Sequence, residues 1–159
     1  MSLSAAKSFS TEEFDDRHLR EAFGRFATGV AFVTADVGET PLGLIVSSFA
    51  AVSLDPPLVS FCPARTSLTW RRMREARRFE IHVLATWHGE FAHRAAAPGA
   101  DRFAEPLDGA LAVIECDLEA EHPAGDHSIV VGRVRRLQLS ADPRPLVYFA
   151  GGFGGFKAH

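Results

Sequence analysis

Short apolar stretches, several of them with apolar and polar residues in alternation, dominate this chain, and they predict a protein built mainly of β-strands. Segments of this kind occur at 30–34, 42–46, 50–54, 58–62, 79–84, 111–121, 129–139 and 146–149. Apolar residues at helical spacing occur in only about three segments. Because these helices do not alternate regularly with the strands, of which there are about seven, a doubly wound parallel sheet is disfavoured. The pattern favours an antiparallel β-barrel, closed or nearly closed, with helices packed outside it.

Local signals indicate where the helices and turns lie. Ser10 and Glu13 fit a capping box, so the first helix is expected to follow them and to end at Thr28-Gly29. This helix carries Phe23 and Phe26 on one apolar stripe. Further elements are expected as helices at 67–77 and 87–97, a turn at 122–126 and a glycine-rich tail at 151–156.

The segment 42–70 organises the rest of the chain, because two predicted strands end there beside a predicted helix start. The two prolines after Asp55 force a turn, so the strands on either side of them form a hairpin. Arg65, Ser67 and Thr69 follow at the point where the next helix begins. Free N–H groups at a helix start favour an anion, so this place suits a phosphorylated planar ligand. A hairpin followed by a capped helix without any ligand is the alternative.

Length and composition indicate one soluble domain over residues 1–159, with a flexible tail at 1–8. The chain is 47% hydrophobic and 23% charged, with a formal net charge of -3, which does not point to nucleic acid. The arginine-rich run 70–78 is interpreted as a solvated helix face. No apolar run is long enough to span a membrane, and the N-terminus lacks the apolar core of a signal peptide. The expected location is therefore the cytoplasm, without a membrane partner.

Few residues stand in patterns that carry known chemistry. Cys62 and Cys116 are isolated and are expected to be reduced and buried. The histidines are scattered, and His88 and His93 stand five apart, so no metal is expected. The chain also lacks a nucleophile elbow, a Walker loop and a dinucleotide fingerprint that opens a helix. His127 is the exception, since it follows Gly-Asp at a strand start, where a side chain can point into a cleft.

Several segments, in the same order along most of the chain, resemble the flavin reductase family with the FMN-binding split-barrel fold. This family comprises the small reductase components of two-component flavin monooxygenases. The similar segments are LREAFGRFATGVAFVT (19–34), GLIVSSFAAVSLDPPLVSFCP (43–63), FEIHVL (79–84), DRF (101–103), 111–116, GDH (125–127) and PLVYFAG (145–151). The resemblance implies an antiparallel split β-barrel and a homodimer that holds flavin near the subunit interface.

The resemblance also implies positions around the two ligands for the matching residues. Those expected along the flavin are Ser47, Ser48 and Phe49 at the isoalloxazine ring, Cys62, Pro63 and Ala64 at the ribityl chain, Ser67 and Thr69 with Arg65 at the phosphate, and Ala85, Arg102 and Phe103 at the outer edge. Those expected near the nicotinamide are His127, Gly151, Gly152 and Phe153.

The implied reaction is hydride transfer from NADH, with NADPH as the alternative, to N5 of FAD or FMN. The reduced flavin would then serve a partner monooxygenase. The cofactor carries this chemistry, so no residue need act as acid or base, and His127 would orient the nicotinamide. A non-catalytic flavin-binding or carrier module is the other hypothesis.

Only seven residues, 104–110, separate the DRF segment from the next strand. Either the lid over the flavin is short in this chain, or the sequence lacks residues there.

Overall fold

Strands predominate in the structure, a computed structural model that describes residues 6–142 and 144–157. The strands of these ranges are β1 (Thr28–Gly29), β2 (Ala31–Val37), β3 (Thr40–Val46), β4 (Ala50–Leu54), β5 (Pro57–Phe61), β6 (Arg78–Val83), β7 (Ala112–Ala124), β8 (His127–Leu139), β9 (Leu146–Phe149) and β10 (Gly152–Gly155). The helices are α1 (Asp16–Gly24), α2 (Leu68–Met73) and α3 (Gly89–Ala96), with 3-10 helices at Arg74–Ala76 and Thr86–His88. The prediction of a mainly β protein is confirmed. The predicted tail at 1–8 lies mostly outside the described residues.

All strand pairs of the two sheets are antiparallel, as the pattern predicts. Seven strands form one sheet in the order β3-β2-β6-β7-β8-β5-β4, whose edges are β3 and β4. The other three form a small sheet in the order β1-β9-β10. The hairpin of β4 and β5 brings Leu54 opposite Pro57, so the predicted turn between them is confirmed. In the hairpin of β7 and β8, Ala124 lies opposite His127. The turn is therefore shorter than the predicted 122–126, because β7 continues through its first residues.

The large sheet encloses an apolar core that includes the first turn of α2. Phe61, Trp70 and Phe79 pack edge to face, with ring centroids 5.2, 5.4 and 6.2 Å apart. Ile81 and Cys116, on adjacent strands, are fully buried in the same cluster. The prediction of a buried cysteine is wrong for Cys62, which is only partly buried because it follows the last residue of β5. Since Trp70 belongs to α2, this core fixes the start of that helix against the sheet.

A second apolar cluster joins the small sheet to the large one. Phe32 of β2 and Leu84, which follows β6, pack there with Leu146 of β9. The Leu146 N–H also donates to the carbonyl of Leu84, with an N···O distance of 2.9 Å. This cluster positions β9, and with it β10, beside the end of β6.

The first helix begins later and ends earlier than predicted. Asp15 is its N-cap: the Asp15 carboxylate accepts from the His18 N–H at 3.0 Å, and His18 Nδ1 accepts from the Asp15 N–H at 3.3 Å. Ser10 and Glu13 form only a turn, in which the Ser10 N–H donates to the Glu13 carboxylate. The predicted end at Thr28-Gly29 is also wrong, because these two residues pair with β9 as β1.

The glycine-rich segment 151–156 is not a simple tail, since most of it forms β10. Phe153 lies opposite Tyr148 and Gly155 opposite Leu146 in the pairing with β9. Backbone pairing needs no apolar side chain, so this strand has no alternating pattern to reveal it. None of the helices within residues 6–142 and 144–157 is long and apolar enough to cross a membrane.

Candidate functional site

A hydrogen bond links the loop after β3 to the end of β5. The hydroxyl group of Ser48 accepts from the backbone N–H of Cys62, with an N···O distance of 2.9 Å. Phe49, the next residue of the loop, packs against the main core. The structure therefore brings together Ser48 and Cys62, which the resemblance places at the flavin ring and at the ribityl chain.

The chain after β5 runs beside the start of β8. Ala64 forms an isolated antiparallel bridge with His127, and Pro63 accepts from the Ser128 N–H at 3.0 Å. The side chain of His127 is half-exposed, and its Nδ1 lies 2.7 Å from the carboxylate of Asp126. This hydrogen bond, together with the charge of the imidazolium form, lowers the pKa of Asp126. Two predicted ribityl residues thus lie next to the histidine expected on the nicotinamide side.

The start of α2 is held by Ser67, which is its N-cap. The Ser67 hydroxyl group accepts from the Trp70 N–H at 3.2 Å, and the Ser67 N–H donates to the Ala64 carbonyl at 3.0 Å. Arg65 is fixed close by, because its guanidinium donates to the Gly125 carbonyl at 3.2 Å. The cap satisfies one of the N–H groups that a helix start leaves unpaired.

A cavity of about 460 Å³ lies along α2, and we call it the arginine pocket. The charged residues in its lining are Arg65, Arg71, Arg74, Glu121 and Asp126. Glu121 accepts from the Trp70 indole N–H at 3.1 Å and lies 3.4 Å from Arg74. Burial alone would raise the pKa of Glu121, but these donors and the Ser128 hydroxyl outweigh it and lower that pKa. The guanidinium of Arg65 therefore adds positive charge beside the capped helix start.

A second cavity, of about 590 Å³, lies between α1 and the turn from β9 to β10, and we call it the α1 groove. Ser47 and Gly151 both line it. Its aromatic lining consists of Phe23, Phe26, Tyr148 and Phe149. A predicted ring residue and a predicted nicotinamide residue, more than 100 positions apart in the chain, therefore share one groove.

The turn at the α1 groove has an unusual backbone. Ala150 and Gly151 both have positive φ, 49° and 85°, which a residue with a Cβ adopts at a cost in energy. The Ala150 N–H donates to the carbonyl of Gly24 at the end of α1, with an N···O distance of 2.9 Å. This bond ties the turn to α1. Phe153, two residues beyond Gly151, packs on Tyr148 with ring centroids 5.4 Å apart and belongs to the second apolar cluster.

The three residues expected at the outer edge of the flavin differ in what they expose. Ala85 is fully buried. Arg102 is partly buried and donates through Nε to the carbonyl of Ala95 at 2.8 Å. Phe103 is 40% exposed, and its ring centroid lies 5.7 Å from that of Phe32. Phe103 is thus the one of the three that presents a large apolar face to a ligand.

A third cavity, of about 710 Å³, has none of the predicted site residues in its lining. Three of its charged side chains pair with one another: Asp117 lies 3.1 Å from Arg78 and 2.6 Å from Arg135. We interpret it as a solvated, charge-paired surface rather than as the ligand site.

The sequence patterns did not single out His88, which the structure places beside Ala85, one of the residues expected at the outer edge of the flavin. His88 is buried and bonded through both ring nitrogens, to the Ala85 N–H and to the Asp108 carbonyl. Its position three residues after Ala85 is the only local signal for the first of these bonds.

Comparison with known proteins identifies a family and several named relatives that this chain resembles. The "Flavin reductase like domain" family matches residues 23–157. The chain is 41% identical over 153 residues to "FMN reductase (NADH) SmoA" of Agrobacterium fabrum, covering 90% of this chain and 87% of that one. It is 36% identical over 159 residues to "Flavin-dependent monooxygenase, reductase subunit HsaB" of Rhodococcus jostii, covering 93% and 82%.

A solved structure extends the similarity to the fold. The NADH:FAD oxidoreductase SgcE6 of Streptomyces globisporus C-1027, in complex with NAD and FAD fragments, superposes with a TM-score of 0.87 at 29% identity. The match covers 96% of this chain and 98% of that one. The predicted split-barrel fold is thereby confirmed.

Proposed function

The chain belongs to the flavin reductase-like family, and we propose that it transfers a hydride from NADH to FAD or FMN. We propose further that the reduced flavin then leaves to serve a partner monooxygenase. The named relatives support both steps, since one is an NADH-dependent FMN reductase and another is the reductase subunit of a flavin-dependent monooxygenase. The carrier hypothesis is not favoured, because these relatives are named as reductases.

One observation carries the proposal: Ser47 and Gly151 line the same groove. Hydride transfer requires the two rings to stack at close range, so residues of the flavin ring and of the nicotinamide must converge in one cavity. The aromatic lining of the α1 groove offers apolar faces to planar rings. The turn at Ala150 is held to the end of α1 by the hydrogen bond from its N–H to the Gly24 carbonyl.

We assign the flavin along the path from the α1 groove to the arginine pocket. Ser47, Ser48 and Phe49 would contact the ring, and the backbone from Cys62 to Ala64 would follow the ribityl chain. Ser67, Thr69 and Arg65 would hold the phosphate, for which the guanidinium supplies charge-assisted donors. Flavin bound there would supply the hydride-accepting chemistry, while this chain's residues would bind and orient the two ligands and exclude water. His127, beside Ala64, would orient the nicotinamide.

We propose that the active form is a homodimer. Five large apolar side chains of the described residues are more than 70% exposed in the single chain: Leu54 (95%), Leu139 (79%), Phe26 (77%), Phe23 (71%) and Leu68 (71%). Phe23 and Phe26 lie together in the α1 groove, and contiguous exposed apolar surface of this kind marks sites of protein association. Light scattering coupled to gel filtration should give twice the mass of one chain, and a monomer at assay concentration would contradict the proposal.

Cys62 and Cys116 are both free thiols, which supports a reducing compartment and hence the cytoplasm.

The decisive experiment is anaerobic mixing of the purified protein with NADH and either FAD or FMN. We expect the visible absorbance of the flavin to bleach as NADH is consumed. Rates with each flavin and with NADH and NADPH then identify the preferred pair. Flavin binding without NADH oxidation would instead establish a carrier module, and neither binding nor oxidation would refute both hypotheses.

A further inference from the structure

His88 is a buried histidine whose two ring nitrogens bond to different parts of the backbone. Only 6% of the residue is exposed. Nδ1 lies 3.0 Å from the backbone nitrogen of Ala85, and Nε2 lies 2.9 Å from the backbone oxygen of Asp108. The first bond joins His88 to the end of β6, and the second joins it to the loop that contains Arg102 and Phe103.

These two partners define the protonation state of the imidazole. A backbone N–H can only donate, so Nδ1 must accept and carries no proton. A carbonyl oxygen can only accept, so Nε2 must carry the proton. The geometry therefore assigns the neutral tautomer with the proton on Nε2. An imidazolium would place an N–H against the N–H of Ala85 and break that bond.

Loop 101–110 also lies against Trp87, the residue before His88 in the chain. Gly109 has φ of +76°, and a Cβ there would lie 3.3 Å from the Trp87 ring. Trp87 is in turn covered by the guanidinium of Arg144, 5.2 Å from the ring centroid. At the other end of the loop, Arg102 donates to the Ala95 carbonyl. His88 is thus the buried hydrogen-bonding anchor of the C-terminal half of the loop.

Ala85 and Thr86, which precede His88 in the chain, also bond to the residues that lead into the small sheet. Ala85 forms a bridge with Pro145, and the Thr86 N–H donates to the Arg144 carbonyl at 2.9 Å. His88 and the residues just before it therefore connect loop 101–110, the end of β6 and the segment that leads into β9. The loop is short, with seven residues between Phe103 and Leu111, so the backbone oxygen that His88 holds at Asp108 is only five positions from Phe103.

We propose that His88 is a positioning residue: through its Nε2–H it holds loop 101–110 in place and thereby sets the affinity for flavin. This inference rests on the proposed function, because it takes Phe103 to contact the outer edge of the flavin. His88 itself is buried and does not touch the ligand; it acts through the loop.

Two substitutions separate the two hydrogen bonds. In His88→Asn, the side-chain oxygen stands where Nδ1 was, so the bond to Ala85 is kept and the bond to Asp108 is lost. In His88→Gln, the longer side chain brings an amide N–H to the position of Nε2, so the bond to Asp108 is kept. His93→Asn is the matched control, since His93 is an exposed histidine on α3 of the same segment. A purely structural role for His88 would make both substitutions at this position equally harmful.

Three measurements on the full chain then test the proposal. Hydrogen exchange without flavin should accelerate at 101–110 in His88→Asn, while His88→Gln and His93→Asn should match the wild type. The KM for flavin should rise about fivefold in His88→Asn, as expected for one lost hydrogen bond, with the KM for NADH unchanged. In His88→Gln the KM for flavin should stay within about twofold of the wild type. Nitrogen-15 NMR of labelled histidine should find the proton of His88 on Nε2.

Each opposite result overturns the inference. Unchanged exchange at 101–110 in His88→Asn would mean that His88 does not anchor the loop, and an equal rise of the flavin KM in both variants would mean that the loop bond is not the cause. If the wild type oxidises no NADH with either flavin, the proposed function fails on its own. The anchoring is then judged from hydrogen exchange, and the effect on flavin from a fluorescence titration of FMN binding, which needs no turnover.

Discussion

Replacing Ser67 separates two roles of one hydroxyl group at the start of α2. Its oxygen accepts from the Trp70 N–H at 3.2 Å and caps the helix. Its proton remains free to donate to the phosphate that we place there. An alanine removes both interactions, whereas an aspartate keeps the cap, since aspartate and serine are equally good N-cap residues. The aspartate, however, sets a negative charge against the phosphate.

Both variants should therefore bind FMN more weakly, but only the alanine variant should also lose stability. Ser67→Ala should lower the free energy of unfolding by about 1 kcal/mol, the usual value of an N-cap. It should also weaken FMN binding about fivefold, the effect of one hydrogen bond. Ser67→Asp should leave stability within about 0.5 kcal/mol of the wild type. It should nevertheless weaken FMN binding by at least about tenfold, because like charges repel at this partly buried place.

Riboflavin, which lacks the phosphate, provides the matched ligand for this test. Urea denaturation followed by tryptophan fluorescence measures stability, because Trp70 is buried in the main core. Flavin fluorescence titrations measure binding. Ser67→Asp should bind riboflavin as the wild type does, so the loss appears only with FMN. If the aspartate weakens both ligands equally, or neither of them, the phosphate does not lie at Ser67 and the proposed flavin path is wrong.

Three further predictions follow from the packing and chemistry of the site. Gly43→Ala would place its Cβ 2.5 Å from a buried phenylalanine ring and should cost about 2 kcal/mol in urea denaturation. Gly29→Ala, with no atom within 4 Å, should cost less than about 0.5 kcal/mol, and equal losses would contradict this packing. His127→Ala should raise the KM for NADH more than the KM for flavin, whereas an equal rise in both would remove it from the nicotinamide side. In the native protein, iodoacetamide should label Cys62 and spare Cys116, because burial, reinforced by the adjacent aspartate, raises the pKa of Cys116 to about 12 and keeps its thiol protonated. Bound flavin should slow the labelling of Cys62, and mass spectrometry that finds Cys116 labelled first, or no protection by flavin, would refute the assignment.

Errors in predicting the elements share one physical cause. The capping-box spacing at Ser10 is satisfied locally as a turn, while Asp15 and His18 form the cap that the helix uses. Both signals obey the same local rule, so the spacing alone does not decide which of them begins the helix. The glycine-rich segment 151–156 has no pattern of its own and becomes a strand only because β9 lies beside it. Propensity is weak where pairing with a distant segment supplies the backbone hydrogen bonds.

The amino-acid sequence by itself determined the parts of this protein that depend on near neighbours. The hairpin around the prolines after Asp55, the alternating strands and the helix capped by Ser67 all follow from rules that act over a few residues. Only the tertiary structure decided that Ala64 pairs with His127, that Ser47 shares a groove with Gly151, and that His88 holds the loop at Asp108. These contacts join segments that local rules leave free to meet anywhere. The order of the strands in the sheet and the closure of the loops between them fix which segments come together.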